Sequence, residues 1–211
     1  PRTNRRRARR KPTSPQPAMS TRRPLLVSID GMNPSSNLFV IGPTGAGKTS
    51  LGKRLAAHYG LPFIDLDQAI EAKTGVSVAT IFQMEGEAGF RQRESACLDE
   101  CSRQPGVVLA TGGGAVMDPR NRQILRERGF VAWLQVDIDQ QLSRLEHDHH
   151  RPLLETDDRH GRLASMAAAR APLYDEIADL IVPPQGHGLA AAAAATIELI
   201  DAHWRRPVRA S

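Results

Sequence analysis

The chain has 211 residues, of which 40% are hydrophobic and 24% are charged, so it can bury a core as one domain and is not globally disordered. Aromatic residues make up only 4%, which argues against the base-stacking surfaces that bind single-stranded nucleic acid. No apolar run approaches the ~18 residues of a membrane-spanning helix, so we expect no membrane association.

The net charge of +5 comes from the N-terminal segment. Nine of the 28 Lys and Arg residues and none of the 23 acidic residues lie in residues 1–24, so the rest of the chain has 19 basic and 23 acidic side chains. An acidic remainder is a poor electrostatic match for nucleic acid. Residues 1–35 are rich in Arg, Pro and Ser and are predicted to be a disordered basic extension, with RNA contact by this arm as the alternative. Residues 206–211 are predicted to be a C-terminal tail.

The segment between these ends, residues 36–205, alternates predicted strands and helices. We predict strands at 38–41, 62–65, 107–110, 130–136 and 180–182, and helices at 48–59, 67–73, 78–83, 87–103, 119–128, 138–146 and 189–203. Short apolar strands separated by helices indicate an α/β fold, a five-stranded parallel sheet flanked by helices on both faces.

Cys97 and Cys101 are the only cysteines and cannot staple a domain of this size, so a reducing, cytoplasmic setting is predicted. They lie four residues apart on one helix face. This spacing permits metal binding, but packing is the expected role. Residues 147–150, which include three histidines, are predicted to be a polar mobile loop rather than a metal site.

Residues 42–49, Gly-Pro-Thr-Gly-Ala-Gly-Lys-Thr, fit the phosphate-binding pattern G-x-x-x-x-G-K-[ST] and lie between a predicted strand and a predicted helix. Glycines let backbone N–H groups turn toward an anion, and the helix N-terminus adds positive potential. Lys48 can reach the β- and γ-phosphates, and the Thr49 hydroxyl can bind Mg²⁺. The motif predicts nucleotide binding without choosing between a kinase, a GTPase and a motor.

Two carboxylates and three glycines follow the next strands. Asp65 and Asp67 end the second predicted strand, where alternation puts both side chains on one side at the ligand-binding edge of the sheet. One can hold a metal through water and the other can bind a substrate hydroxyl, and Asp67 can also cap the following helix.

Gly112, Gly113 and Gly114 after the third strand are expected to form a wall without side chains. The absence of an acidic residue at that strand end weighs against a GTPase.

Three arginines in short motifs are candidates for an anion clamp. Arg91 lies in Gly-Phe-Arg, Arg151 in Arg-Pro-Leu-Leu and Arg170 in Arg-Ala-Pro-Leu-Tyr. A guanidinium group suits a carboxylate or a transferring phosphoryl group because it can donate two parallel hydrogen bonds.

Taken in order, these six motifs resemble the shikimate kinase family over about residues 36–204. The resemblance implies a nucleoside-monophosphate-kinase-like fold, a three-layer P-loop kinase sandwich with a mobile lid. It also implies phosphorylation of the shikimate 3-hydroxyl by ATP in aromatic amino-acid (chorismate) biosynthesis. We expect a cytoplasmic monomer that uses Mg²⁺.

The resemblance also implies roles for single residues. On the nucleotide side, Thr49 and Asp65 would hold Mg²⁺, Asp65 through water, Arg151 would reach the phosphates from the lid, and Arg144 would pack near adenine. The loop residues that would bind the ATP phosphates are Gly45, Ala46, Gly47, Lys48, Thr49 and Ser50.

On the acceptor side, Asp67 would bind the shikimate hydroxyls and is the candidate catalytic base. Arg91 and Arg170 would grip the shikimate carboxylate, and Gly112, Gly113 and Gly114 would line the pocket. Lys48 and Arg151 would complete the catalytic set.

Three alternatives remain at this point. A gluconate-type sugar-acid kinase shares the phosphate loop and the lid, although the triple glycine and the Arg170 motif favour shikimate. An inactive shikimate-binding regulatory homologue should have lost Lys48, Asp67 or an arginine of the clamp, and none is lost. A nucleic-acid-associated ATPase is supported only by the basic extension.

Overall fold

The computed structural model describes residues 35–145, 158–184 and 188–205. These belong to one compact unit, Met32–Ser211, while the unit Pro1–Gly31 lies outside the described residues. The predicted extension, apart from Ser35, and the predicted tail 206–211 therefore stay predictions. None of the helices in the described part is long and apolar enough to cross a membrane.

A single parallel sheet of five strands forms the centre of this unit, as predicted. The strands are β1 (Leu38–Ile41), β2 (Phe63–Asp65), β3 (Val108–Ala110), β4 (Phe130–Leu134) and β5 (Leu180–Val182), in the order β2-β3-β1-β4-β5. Phe39 of β1 is in register with Leu109 on one side and Val131 on the other. Because β2, β3 and β1 are adjacent and parallel, the loops that follow these three strands meet at one edge of the sheet.

Seven helices cover the sheet in the described residues. They are α1 (Lys48–Tyr59), α2 (Leu66–Thr74), α3 (Val78–Ser102), α4 (Pro119–Arg128), α5 (Ile138–Leu145), α6 (Arg159–Ile177) and α7 (Leu189–His203), with a 3₁₀ turn at Ala115–Met117. Gly86 interrupts α3 with a φ of 69°, which matches the two predicted segments 78–83 and 87–103.

Helix α6 was absent from the predicted elements. Pro172 lies inside it, and an interior proline removes a helical hydrogen bond and usually marks a helix end. Here Tyr174 and Ile177, which follow the proline, are buried in the core, so tertiary packing stabilises the helix across it.

Alternation along β1 divides the core into two layers. Phe39 and Ile41 pack with residues of α2, α3, α4 and α6 on one face, and Leu38 and Val40 pack with residues of α1 and α7 on the other. This confirms the predicted three-layer sandwich.

Ser35, which the sequence analysis assigned to the extension, packs against the sheet domain. Ser35 donates from Oγ to the Arg128 carbonyl over 2.7 Å, and its own carbonyl accepts from Trp204 Nε1 over 3.0 Å. Trp204 follows α7 and is buried, so these bonds join the two ends of the described fold.

Candidate active site

The phosphate loop, residues 42–49, connects β1 to α1. Gly42, Gly45 and Gly47 have φ angles of 140°, 76° and 90°, a region that residues with a Cβ atom rarely adopt. A Cβ atom at Gly45 would also lie 3.2 Å from the Leu145 side chain. The motif glycines are therefore required by the backbone path, and that path ends at the N-terminus of α1, where an anion is favoured.

Lys48 is the first residue of α1 and is 9% exposed. Its Nζ donates to the carbonyls of Gly42 and Pro43, each over 2.8 Å. The ammonium group is therefore held against the phosphate loop.

Helix α5 supports the loop from outside. Gln141 Nε2 donates to the Thr44 carbonyl over 2.7 Å, and Arg144 Nη1 donates to the Gly45 carbonyl over 3.0 Å. Arg144, predicted near adenine, thus contacts the loop itself. Gln141 is buried and was not predicted, since a single glutamine on a helix has no sequence signal of its own.

Asp65 links the phosphate loop to α2. Its Oδ2 accepts from Thr49 Oγ1 over 2.6 Å, and its Oδ1 accepts from the backbone N–H groups of Asp67 and Gln68 over 3.1 and 3.3 Å. Asp65 is therefore the N-cap of α2, and the suggestion that Asp67 could cap this helix is wrong. Asp67 lies in the first turn of α2, not on the strand, so helix geometry rather than strand alternation places it.

The three glycines after β3 pack tightly against neighbouring groups. A Cβ atom at Gly112 would lie 2.7 Å from Glu94 Oε1 and 3.2 Å from Asp67 Oδ1, and one at Gly114 would overlap the Arg91 guanidinium. The Gly113 Cβ position is 2.9 Å from the Thr44 backbone nitrogen of the phosphate loop. Side chains in this segment would push these groups apart.

Both candidate clamp arginines lie beside this glycine segment. Arg170, 9% exposed, donates to the Gly113 carbonyl over 3.2 Å, and Tyr174 Oη donates to the same carbonyl over 2.6 Å. Burial lowers the pKa of the Arg170 guanidinium, and the positive charge of Arg91 lowers it further. An anion bound beside Arg170 would offset both effects and stabilise the charged guanidinium.

Arg91 is held by two carboxylates on its own helix. Its Nη1 donates to Glu94 Oε2 over 2.7 Å, and its Nη2 donates to Glu87 Oε1 over 3.0 Å. Burial lowers the pKa of Arg91, but Glu94 and Glu87 outweigh that effect and raise it. Arg91 therefore keeps its charge although its side chain is only 19% exposed.

Glu94 is a site residue that the sequence analysis missed. It has no exposed surface. Its pKa is raised by burial, with a contribution from the charge of Asp67, and Arg91 only partly opposes this. The spacing i, i+3 from Arg91 was the available signal, but such pairs are common on helix surfaces. We refer to Asp67, Arg91, Glu94 and Arg170 as the charged cluster.

A cleft of about 380 Å³ lies on the other side of the phosphate loop. Gly47, Ser50 and Arg144 line it together with Val182 of β5 and Thr196 of α7. The last two were not predicted because they are brought here only by the fold. Arg151 and the loop 147–150 lie outside the described residues, so their predicted roles stay predictions.

Comparison with known proteins was made on this basis. The family model described as shikimate kinase matches residues 44–201. The chain belongs to the shikimate kinase family. This match covers residues 44–49 of the phosphate loop and all of the charged cluster, and the family is one of phosphotransferases.

Individual shikimate kinases agree with the family match. The shikimate kinase of Halorhodospira halophila is 54% identical over 151 residues, which are 72% of this chain and 85% of that relative. The shikimate kinase of Xanthomonas campestris is 48% identical over 174 residues, 82% of this chain and 97% of the relative. The solved shikimate kinase from Acinetobacter baumannii in complex with shikimate is 39% identical, with a TM-score of 0.76 over 79% of this chain and 93% of that one.

Proposed function

We propose that this shikimate kinase transfers the γ-phosphoryl group of ATP to the 3-hydroxyl of shikimate, a step of aromatic amino-acid biosynthesis. The observation that supports this best is the position of Gly113. Gly113 packs so closely against Thr44 of the phosphate loop that a Cβ atom would not fit between them. Its carbonyl accepts a hydrogen bond from Arg170. A phosphate donor in the loop and a carboxylate-bearing acceptor at the charged cluster would therefore be neighbours.

On the donor side, backbone N–H groups of residues 45–50 and the ammonium of Lys48 would bind the phosphates. The cleft lined by Arg144 and Thr196 would bind the adenine of ATP. Thr49 Oγ1 and Asp65 Oδ2 fit a magnesium site, because hydroxyl and carboxylate oxygens are the ligands that this ion prefers. Bound Mg²⁺ would add positive charge next to the transferring phosphoryl group.

On the acceptor side, Arg91 and Arg170 would bind the shikimate carboxylate. Burial and the charge of Arg91 both lower the pKa of Arg170, and a bound carboxylate would offset both effects. Asp67, next to Gly112, would accept hydrogen bonds from the shikimate hydroxyls. Glu94 would keep Arg91 in place and is a positioning residue.

The transfer itself needs one proton acceptor and strong charge stabilisation. The 3-hydroxyl oxygen forms a bond to the γ-phosphorus while the bond from that phosphorus to the ADP oxygen breaks. Asp67 would accept the hydroxyl proton, and Lys48 would stabilise the negative charge of the transferring group. Arg151 would join Lys48 after closure of the predicted lid.

A coupled ADP-release assay tests the proposed function. We expect shikimate to elicit ADP release and gluconate to elicit none above the ATPase background. Phosphorus NMR of the product should show one phosphate ester, on O3. Turnover of gluconate at a rate comparable to shikimate would reject the assignment, and so would shikimate binding without turnover in the presence of ATP and Mg²⁺.

We further propose that the enzyme works as a cytoplasmic monomer. The donor and acceptor groups in the described residues come from one chain, so the proposed chemistry needs no partner copy. The chain has only two cysteines, too few for a disulfide framework in a domain of this size, which fits a reducing compartment. Light scattering of the active protein should give the mass of a single chain, 23.1 kDa. A dimer at assay concentration would reject the monomer.

A further inference from the structure

The only two cysteines of the chain lie together in α3, away from the proposed chemistry. Cys97 Sγ and Cys101 Sγ are 3.9 Å apart, and the residues are 4% and 8% exposed. Both are free thiols. Neither contributes to the phosphate loop or the charged cluster.

The helix keeps this pair from closing a disulfide. A disulfide needs an S–S distance of about 2.05 Å and a Cβ–Cβ distance of roughly 3.5–4.5 Å. Helical residues four apart have Cβ atoms about 5–6 Å apart. A direct bond would therefore unwind α3, which is buried here against the core through Leu98.

The distance between the two sulfur atoms does suit a single atom that is bonded to both of them. Two sulfurs bonded to one atom at about 2.3 Å each lie roughly 3.8 Å apart on a tetrahedral centre and roughly 3.5 Å apart on a pyramidal one such as trivalent arsenic. The distance observed between Cys97 Sγ and Cys101 Sγ is 3.9 Å. Side-chain rotation in an intact helix is enough to close such a bridge.

The surroundings favour a neutral bridging centre over a metal cation. A structural zinc ion takes four ligands, and no group of three or more His, Cys, Asp or Glu residues that could hold a metal occurs in the described part of the chain. The ammonium of Lys73, which pairs with Glu100, also acts electrostatically on both sulfurs. Trivalent arsenic that already bears one organic group needs only two sulfurs and has no net charge.

A cavity of about 850 Å³ between α2 and α3 reaches Cys97 of this pair. Cys97 lines it. The apolar side chains of Ile70, Val76, Ile81 and Met84 form one part of its wall, and the rest is polar or charged, from Lys73, Thr74, Thr80, Glu85 and Arg93. Its volume is within the range of small-molecule pockets, roughly 300–1,000 Å³. An aryl group attached to the bridging atom would find apolar contacts there.

We propose that Cys97 and Cys101 form a dithiol site for a monosubstituted trivalent arsenical, whose aryl group occupies the cavity between α2 and α3. Two S–As bonds form and two As–OH bonds break. The two thiol protons leave with the hydroxyl groups as two water molecules, and neither sulfur nor arsenic changes its oxidation state.

The protonation state of Cys97 agrees with the stoichiometry of this reaction. Burial raises the pKa of Cys97 to about 12, and the neighbouring Cys101 contributes to the rise. Cys97 is therefore a thiol at neutral pH and can supply the proton that the leaving hydroxyl takes. Reagents that need a thiolate nucleophile, such as iodoacetamide, should react slowly with the folded protein.

Phenylarsine oxide, which hydrates to the dihydroxy form, is the probe for this site. The full chain, Cys97→Ala and Cys101→Ala are each incubated with one equivalent under native conditions, and then washed with excess glutathione. Intact mass spectrometry should show one arsenical per wild-type chain and none on either variant, since a single S–As bond exchanges with the monothiol. 2,3-Dimercaptopropanol should remove the wild-type adduct. No retained adduct on the wild type, or equal retention by either variant, overturns the proposal.

A measurement on the wild type alone covers the case in which a variant does not fold. The arsenical-treated protein is unfolded in urea with iodoacetamide present, and its alkylation is compared with that of untreated protein. Both cysteines should be protected in the treated sample and alkylated in the untreated one. Alkylation of both cysteines in the treated sample overturns the proposal. Neither measurement involves shikimate or ATP, so its failure is distinct from failure of the proposed function.

Discussion

The phosphate loop and the charged cluster are neighbours that bind by different means. The loop is one continuous segment whose shape depends on three glycines with positive φ, and its proposed ligands are mostly backbone N–H groups. The charged cluster is assembled from α2, α3 and α6 around Gly112–Gly114, and its proposed ligands are charged side chains with little exposure. The first site is therefore determined by backbone conformation and the second by a balance of buried charges.

Lys48→Ala is expected to have the largest effect, because it removes the charged side chain of the phosphate loop. Loss of a cation at a transferring phosphoryl group costs roughly 10³–10⁵-fold in kcat. Shikimate binding, measured by calorimetry, should remain, since the charged cluster is untouched. Lys53→Ala, an exposed lysine on the same helix, is the matched control and should retain activity. Near-normal turnover by Lys48→Ala would break the assignment of the loop.

Asp67→Asn separates acid–base chemistry from binding within the charged cluster. The amide keeps the size of the carboxylate but loses its charge and basicity, so kcat should fall by roughly 10²–10⁴-fold. Steady-state kinetics should show a smaller effect on the KM for ATP. Asp139→Asn on the exposed face of α5 serves as control. A normal kcat would mean that another group accepts the proton.

Arg91→Lys and Arg170→Lys test whether the two arginines hold one anion. Lysine keeps the charge but loses the planar pair of donors, and a hydrogen bond between charged groups contributes about 1.5–3 kcal/mol. We expect the KM for shikimate to rise about 10–100-fold in each variant, with the Kd for ADP unchanged.

Arg93→Lys, which changes an exposed ion pair with Glu85 on the same helix as Arg91, should behave as wild type. If Arg170→Lys binds shikimate normally but loses ADP, Arg170 belongs to the nucleotide site and the clamp is wrong.

The contrast between the two sites also explains what the sequence could predict. The phosphate loop, β1 and α1 were predicted to the residue because their signal is local: a buried strand, glycines and a capped helix in one continuous segment. The sheet followed from the apolar strands, whose predicted ends differ from the observed ones by at most two residues.

The signals that failed were those that depend on tertiary structure. Helix α6 was not predicted because Pro172 lies inside it. Burial of Tyr174 and Ile177 in the core, rather than local helix preference, stabilises this helix. Asp67 was assigned both to the end of the strand and to the start of the helix because the turn from β2 into α2 is immediate. Glu94 was missed because its role arises only where α3 meets the segment after β3.

Glu94→Gln tests the charge balance of the cluster through pH dependence. Because burial raises the pKa of Glu94 above 4.5, the folded protein binds this proton more tightly than the unfolded chain does. The free energy of unfolding from this group is therefore highest below the ordinary pKa and falls as pH rises through the raised pKa. Glutamine has no such proton to lose, so the variant escapes this destabilisation. The Tm of the variant minus that of wild type should therefore become more positive as the pH rises from 4.5 toward neutrality.

The same variant should bind shikimate less well, because Arg91 loses a charged partner. We expect the KM for shikimate to rise roughly 3–10-fold, the equivalent of one ordinary hydrogen bond. Glu198→Gln, an exposed residue of α7, is the control for both measurements. A Tm difference that does not change with pH would show that Glu94 does not titrate in the folded state as inferred.

Deletion of residues 1–31 should have the smallest effect, since these residues belong to neither site. Ser35 and Asn37 both contact the Arg128 carbonyl, so the described packing lies beyond the deleted segment. We expect kcat to be unchanged and the free energy of unfolding to change by less than about 0.5 kcal/mol, as for surface changes in general. A loss above ~2 kcal/mol would mean that the segment packs. A gel-shift assay with RNA should show no binding by either protein, and RNA binding by the full chain alone would establish the basic arm as a nucleic-acid contact.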